Sequence, residues 1–162
     1  MPLTSNLQLE LFDAYGIDYM GPFLKSWQHE YILVVVDYVS KWVETLPCRA
    51  TDSNNTKRMF SETLFPRFGV PRMVISDGGP QFIDRRFWGF LSDHGVHHNI
   101  MTPYHPQTSG QAEMSNKQIK NILQKTINEM GIAWKDKLHG ALWAYRIAYE
   151  TSLRTWPYQL VY

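Results

Sequence analysis

Apolar residues in the first third of the chain fall into three short runs separated by turn residues. The runs cover residues 12–19, 31–38 and 42–46, and the second is continuously apolar from Ile32 to Val36. Such a run is typical of a strand buried on both faces, and short links between consecutive strands predict an antiparallel meander. Pro47 is expected to end the third strand, because proline has no N–H for a strand ladder.

The period of the pattern changes after residue 50. Asp52 and the polar residues that follow it are N-cap candidates for a helix, which Gly69-Val70-Pro71 should end. A fourth strand is predicted over residues 72–76. One helix with Phe82 and Phe87 on it should follow, ending near His94-Gly95.

The last third of the chain is predicted to be mainly helical. A fifth strand over residues 96–101 leads into residues 102–110, which are rich in breakers and predict a loop. Thr108 and Gln111 have the spacing of a capping box. The helix that they open should reach about Met130, and a final helix is expected over residues 133–149.

The predicted element order is β-β-β-α-β-α-β-α-α. It indicates an α/β fold in which helices flank a five-stranded mixed sheet, and 162 residues fit a single domain. If the link after the third strand crosses over through its helix, the first and fourth strands lie side by side. Their polar ends would then meet at one edge of the sheet.

Composition restricts the classes of function without choosing among them. With 44% hydrophobic and 19% charged residues and a net charge of +1, a nucleic-acid partner would need a local basic surface. Cys48 is the only cysteine, which excludes an internal disulfide and a cysteine zinc cluster and favours an intracellular setting. The apolar runs are too short to span a bilayer, and residues 1–15 do not have the pattern of a signal peptide.

Three carboxylates are candidates for a catalytic or metal-binding site. They are Asp18 at the end of the first predicted strand, Asp77 after the fourth, and Glu113 in the first turn of the longest predicted helix. Positions 78 to 112 separate the last two by 35 residues. Carboxylates that converge can hold hard divalent cations, and two such ions suit phosphoryl transfer. Each residue alone also fits a strand end, a turn or a helix dipole, so the hypothesis depends on the set.

Local strings of the chain extend this pattern. They are YGIDYMGPF (15–23), VDYVSKW (36–42), FGVP (68–71), ISDGG (75–79), TPYHPQT (102–108), GQAE (110–113) and LWAYR (142–146). In this order and spacing they resemble the catalytic cores of retroviral-like integrases from plant Ty3/gypsy-type LTR retrotransposons. The chain departs from the usual family pattern at Tyr15, Ser152, Arg154 and Trp156.

This resemblance implies a ribonuclease-H-like fold and a D,D-35-E triad of Asp18, Asp77 and Glu113. Asp18 and Asp77 would share one Mg²⁺ ion and Asp18 and Glu113 another, with Mn²⁺ able to substitute. The implied activity is that of a polynucleotidyl transferase with endonuclease activity. It would trim the 3′ ends of element DNA and join them to target DNA.

The resemblance also implies DNA-binding residues. Asn116, Lys117 and Lys120 share the helix face of Glu113, where the alternative is an ordinary solvated face. The loop with Tyr104, His105 and Gln107 resembles the mobile active-site loop of the family, and Gln111 follows it; the alternative is a rigid connector. A zinc site at His97, His98 and His105 is not favoured, because no cysteine or helical histidine spacing supports it.

The whole chain, residues 1–162, is expected to be a catalytic core, ordered over about 10–150. It is expected to have neither an N-terminal zinc module nor a C-terminal DNA- or chromatin-binding module. The implied partners are double-stranded element and target DNA and a second copy in a homodimer or larger oligomer, without a membrane. The implied location is a virus-like particle or the cytoplasm, then the nucleus. Two alternatives stay open: a non-catalytic DNA-binding module derived from a retroelement, and a ribonuclease H-type nuclease.

Overall fold

A single five-stranded mixed sheet organises the protein. The computed structural model describes residues 11–101 and 110–153, without the side chains of residues 110–117 and 148–153. The strand order is β3-β2-β1-β4-β5. β1 pairs antiparallel with β2 and β2 with β3, whereas β1–β4 and β4–β5 are parallel. The predicted meander and the predicted neighbourhood of the first and fourth strands are therefore confirmed. The strand bounds are β1 Ala14–Met20, β2 Tyr31–Asp37, β3 Val43–Cys48, β4 Met73–Ser76 and β5 His97–Ile100.

Helices follow β3, β4 and β5. Asp52 caps the first of them, since its side chain accepts a hydrogen bond from the backbone N–H of Asn55. A π-helical segment, Met59–Leu64, separates α1 from α2, and a 3₁₀ turn, Gly131–Ala133, separates α5 from α6. The helix bounds are α1 Ser53–Arg58, α2 Phe65–Phe68, α3 Pro80–Ile83, α4 Arg85–Asp93, α5 Gly110–Met130 and α6 Trp134–Leu153.

The sheet has a hydrophobic core on each face. In β2, Leu33 and Val35 belong to the core formed with the π-helical segment, α2, α3 and α4. Ile32 and Val34 of the same strand pack towards α5 and α6. Alternate residues of a strand point to opposite faces, so the continuous apolar run of β2 is explained by burial on both sides.

Two predictions about element boundaries are wrong. Pro47 lies inside β3, opposite Ile32, and does not end the strand. β3 is at the edge of the sheet, where one side of the strand needs no ladder donor, so proline is tolerated. The single helix predicted after Asp77 is two helices, because Asp84 has extended backbone (ψ 134°) and caps α4 by accepting from the N–H of Arg86.

The end of the sheet opposite the C-termini of β1 and β4 is fixed by a buried carboxylate. Asp37 is 1% exposed and accepts hydrogen bonds from the backbone N–H of Phe12 and from the N–H and hydroxyl of Ser40. This is the turn role that the sequence indicates for Asp37.

α6 is attached to the edge strand by a buried cation. The guanidinium of Arg146 lies 3.8 Å from the ring centroid of Trp42 and donates to the carbonyl of Val43. The same group is 3.5 Å from Glu44, which also pairs with Arg67 at 2.8 Å. In the part of the chain that the structure describes, no helix is long and apolar enough to cross a membrane.

Candidate active site

The parallel pairing of β1 with β4 brings two of the predicted carboxylates to one end of the sheet. The observed register pairs Ala14 with Met73 and Gly16 with Ile75. Continued by two residues, this register sets Asp18 opposite Asp77, which directly follows β4. The carboxyl ends of β1 and β4 are adjacent, so these two side chains come from neighbouring strands.

Strand alternation sets the same two carboxylates on one face. Ile17 belongs to the core on the α4 side, as does Val74 of β4. Asp18 is next to Ile17 and therefore alternates to the α5 side; the alternation of β4, continued one residue beyond its last residue Ser76, would put Asp77 on the same side. The arrangement therefore offers two oxygen-rich side chains to a common space under α5.

Asp18 is held by contacts from two elements. Its Oδ1 accepts a hydrogen bond of 2.8 Å from the backbone N–H of Tyr19, and its Oδ2 pairs with the ammonium of Lys120 on α5. Tyr19 is itself anchored, because its hydroxyl donates to the carbonyl of Asp52 and its ring stacks on Phe82. The backbone around Asp18 is thus fastened to the helices on the other face.

Asp77 is exposed and turns the chain away from β4. Its Oδ1 accepts a hydrogen bond of 2.9 Å from the backbone N–H of Gly79. The preceding residue, Ser76, is buried, and its hydroxyl lies 2.6 Å from Nε2 of His98 and 3.1 Å from the carbonyl of Asp77. Ser76 and His98 therefore support the backbone on which Asp77 is presented.

His98 is the inward-facing member of the His97-His98 pair. It is 6% exposed and packs 4.5 Å from the ring centroid of Trp88 and 5.4 Å from that of Phe87. Burial, and to a smaller extent the neighbouring His97, lowers the pKa of His98 to about 4. At neutral pH the ring is uncharged, which suits its position between aromatic side chains.

Glu113 lies in the first turn of α5, and its backbone alone is described. Seven residues separate it from Lys120, which corresponds to two helical turns or about 10 Å along the axis. Positions 113, 116, 117 and 120 share one face of α5 by helical spacing. The contact between Lys120 and Asp18 shows that this face is turned to β1.

The other predicted DNA contacts are less fully located. Tyr104, His105 and Gln107, with the capping residue Thr108, lie outside the described residues. Gln111, Asn116 and Lys117 are in α5 without described side chains. Among the side chains that are described, no three His, Cys, Asp or Glu form a group suited to a metal ion, and Glu113 is not in that set.

The donor chemistry at Asp18 and Asp77 fits a hard divalent cation. Both supply carboxylate oxygens, the ligands that Mg²⁺ takes in proteins. A cationic group already contacts Asp18, since the Lys120 ammonium pairs with its Oδ2. This contact shows that the site attracts and accommodates positive charge.

Comparison with known proteins assigns the family. The model described as the integrase core domain matches residues 14–106, more than half of the chain, and this segment contains both Asp18 and Asp77. The chain belongs to the integrase core domain family.

Curated relatives of this integrase core domain are retroviral polyproteins. The Pro-Pol polyprotein of simian foamy virus type 3 is 32% identical over 151 residues, which cover 93% of this chain. The Pol polyprotein of feline endogenous virus ECE1 is 36% identical over 135 residues, or 83% of the chain. The chain spans 13% of the length of each of these relatives.

Solved structures confirm the ribonuclease-H-like fold. The catalytic core domain of BIV integrase aligns with a TM-score of 0.62 and 21% identity, covering 81% of both chains. A chain of the simian T-cell lymphotropic virus intasome, solved in complex with PP2A regulatory subunit B56 gamma, aligns with a TM-score of 0.65 and 21% identity. It covers 85% of this chain and 49% of the other.

Sequence reasoning missed the contacts that support the carboxylates. The contact between Lys120 and Asp18 joins residues 102 positions apart, and the contact between Ser76 and His98 spans 22 positions. Neither pair has a local sequence signal. The only available indication was that His98 alternates with His97 on a strand, which predicts one inward ring.

Proposed function

We propose that this integrase core domain is a polynucleotidyl transferase that inserts retroelement DNA into target DNA. Its catalytic residues are Asp18, Asp77 and Glu113. The observation that carries the proposal is the parallel β1–β4 pairing, which brings the carboxyl ends of the strands that lead to Asp18 and Asp77 side by side. Family membership and the position of Glu113 in the first turn of α5 support the same set.

The proposed reaction has two phosphoryl-transfer steps. In the first, a water oxygen attacks a phosphodiester near the 3′ end of the element DNA, which breaks the P–O3′ bond and leaves a free 3′-hydroxyl. In the second, that hydroxyl attacks a phosphodiester of the target, so that one P–O bond forms and one breaks. No covalent enzyme intermediate is required.

The side chains of this chain would bind and orient the reacting groups. Asp18 and Asp77 would hold one Mg²⁺ or Mn²⁺ ion, and Asp18 and Glu113 another. When bound, such ions lower the pKa of an oxygen nucleophile and neutralise charge on the leaving oxygen. Lys120 would leave Asp18 and contact a DNA phosphate, together with Lys117 and Asn116 on the same helix face.

The finer assignment rests on the strings that resemble Ty3/gypsy-type elements. We infer that the chain is the catalytic core of a longer retrotransposon polyprotein product and that residues Tyr104, His105, Gln107 and Gln111 contact DNA. It would act as a homodimer or larger oligomer on element ends and target DNA. Its locations would be a virus-like particle or the cytoplasm, then the nucleus.

A disintegration assay tests this function. A branched DNA that mimics the integration product is incubated with the chain and Mg²⁺ or Mn²⁺, and resolution of the branch is followed on a gel. Asp77→Asn and Glu113→Gln should each abolish resolution. Asp93→Asn, the same chemical change at an exposed position of α4, should leave it unchanged.

Three results would contradict the proposal. Activity that survives Asp77→Asn would show that Asp77 is not a catalytic residue and would refute the proposed triad. Metal-dependent cleavage of an RNA–DNA hybrid in place of branch resolution would indicate a ribonuclease H. Salt-sensitive DNA binding without any cleavage would indicate a non-catalytic module.

A further inference from the structure

The hairpin between β1 and β2 ends in a strained turn that displays a tryptophan. Ser26 and His29 exchange backbone hydrogen bonds of 3.0 and 2.9 Å, and between them Trp27 and Gln28 have φ of 50° and 66°. Two left-handed residues define a type I′ turn, which normally takes Asn and Gly. Strain of this kind is found at ligand-binding positions. Trp27 is nevertheless 70% exposed, which is costly for so large an apolar side chain.

The strained turn is held rigidly against the start of α6. The indole N–H of Trp27 donates to Asp136 at 2.9 Å, and the buried hydroxyl of Ser26 accepts from the backbone N–H of Lys135 at 3.3 Å. Below them, the indole N–H of Trp134 donates to the carbonyl of Leu24 at 2.6 Å. The Trp27 ring is therefore fixed in place while much of its surface stays open.

Cationic side chains surround this ring in a surface pocket of about 410 Å³. Within the described residues, neither Arg49 nor Lys135 forms an ion pair. Asp136 is the one carboxylate among the described residues that line the pocket, and it accepts a hydrogen bond from the indole N–H of Trp27. A carbonyl oxygen can only accept, so Nδ1 of His29 donates to the carbonyl of Trp27 at 2.7 Å. The other ring nitrogen, Nε2, is not used by this hydrogen bond. The lining residues are Trp27, Gln28, His29, Arg49, Lys135 and Asp136.

The pocket lies at the same end of the sheet as the carboxylates. The hairpin leaves β1 at Met20, two residues after Asp18. Arg49 follows Cys48, the last residue of β3, which pairs with Tyr31 at the start of β2. A strand of nucleic acid bound near Asp18 and Asp77 therefore has this pocket within reach along the sheet edge.

The geometry points to a subsite for single-stranded DNA, in which a base stacks on Trp27 and the flanking phosphates contact Arg49 and Lys135. A rigid exposed indole beside unpaired cations is the combination that binds unstacked bases and backbone charge. An acidic peptide would use the cations but gain little from the ring. The choice of DNA over another polyanion rests on the proposed function.

Binding of a fluorescein-labelled single-stranded oligodeoxynucleotide, measured by anisotropy in EDTA, tests this subsite. Arg49→Gln with Lys135→Gln should weaken binding about tenfold and reduce the slope of log K against log salt by about 1 to 1.5. The matched control is Arg72→Gln with Lys137→Gln. It removes the same charge outside the pocket and should change the affinity less than twofold. Arg72 precedes β4, at the opposite end of the sheet.

The aromatic part of the site is tested separately. Trp27→Ala should weaken binding about tenfold, whereas Trp27→Phe, which keeps an aromatic ring, should stay within about twofold of the original affinity. Trp27→Leu, a milder truncation, should weaken binding of the intact oligonucleotide by a similar factor and leave binding of an oligonucleotide that is abasic throughout unchanged. Equal affinity of the original chain and Trp27→Leu for the intact oligonucleotide would overturn the stacking role, and this comparison remains available if Trp27→Ala does not fold.

Two outcomes would overturn the subsite. One is equal affinity of the Arg49/Lys135 double variant and its control. The other is competition by poly-glutamate as strong as that by DNA, with no dependence on bases, which would identify an acidic-peptide site. Because the assay contains no metal and breaks no bond, its result is independent of the disintegration assay. An inactive chain can support the pocket, and an active chain can refute it.

Discussion

Lys120 of α5 and Asp18 of β1 form an ion pair that joins the helix to the sheet. The two side chains are 38% and 30% exposed, so the pair is only partly screened by water. A divalent cation at Asp18 must compete with this ammonium. Under the proposed function, the same lysine would then be released towards a DNA phosphate, so that metal binding and DNA binding would be coupled through one side chain.

Lys120→Gln should therefore tighten binding of Mn²⁺ by about three- to tenfold, because a partly exposed ion pair contributes about 1 kcal/mol or less and the repulsion of the metal is also removed. Isothermal titration with Mn²⁺ in the absence of DNA measures this directly. Lys125→Gln, an exposed position on the same helix, is the matched control. Equal Mn²⁺ affinities for the two variants would show that Lys120 does not compete with the metal.

His98 should make stability depend on pH in the acidic range. Burial lowers the pKa of His98 in the folded state to about 4, below the ordinary value of 6.5. The unfolded chain thus binds more protons between these values, and stability is lost as pH falls through that window. The loss between pH 7 and pH 5 should be about 2 kcal/mol. Urea unfolding of His98→Gln, whose side chain does not titrate, should lack this component; an unchanged pH profile would refute the assignment.

The side chain of Tyr15 in β1 is 2% exposed. Within the described residues its hydroxyl has no hydrogen-bond partner, and burial raises the pKa of Tyr15. Tyr15→Phe should increase the free energy of unfolding by about 1 kcal/mol, since an unsatisfied buried hydroxyl is removed without loss of the ring. Chemical denaturation checks this. A loss of stability would mean that the hydroxyl is satisfied.

Arg146→Ala should destabilise the fold by about 3 kcal/mol or more, because it leaves Glu44 short of a partner in a buried setting and removes the cation packed on Trp42. Arg67 contacts the same oxygen of Glu44, but its side chain is 40% exposed. Arg67→Ala should therefore lower the free energy of unfolding by less than Arg146→Ala does. Thermal unfolding of the two variants provides the comparison. Equal decreases in stability for the two variants would show that the burial of Arg146 does not increase its contribution to stability.

The sequence was sufficient for the features that follow from local pattern. The continuous apolar run of β2, the cap at Asp52 and the break before Pro71 each have a short-range physical cause, and each appears in the structure. The adjacency of β1 and β4 was also predictable, because a crossover connection leaves few other places for the fourth strand.

Other features depend on neighbours that are distant in sequence. Pro47 looks like a strand terminator until β3 is known to be an edge, and nothing near Lys120 indicates that it faces Asp18. The turn at Trp27 lacks the glycine that would have revealed its left-handed backbone. The predicted DNA contacts from Tyr104 to Lys120 stay predictions.

The β1–β4 register has a consequence for the biosynthesis of the chain. Asp18 and Asp77 are united only by a pairing between segments as far apart as Ala14 and Met73, and a slip of one residue would turn one carboxylate to the other face. A nascent or misfolded chain therefore carries the acidic residues without a cutting centre. The proposed cleavage activity would therefore depend on completion of the native sheet, and a chain in which β1 and β4 have not paired would lack it.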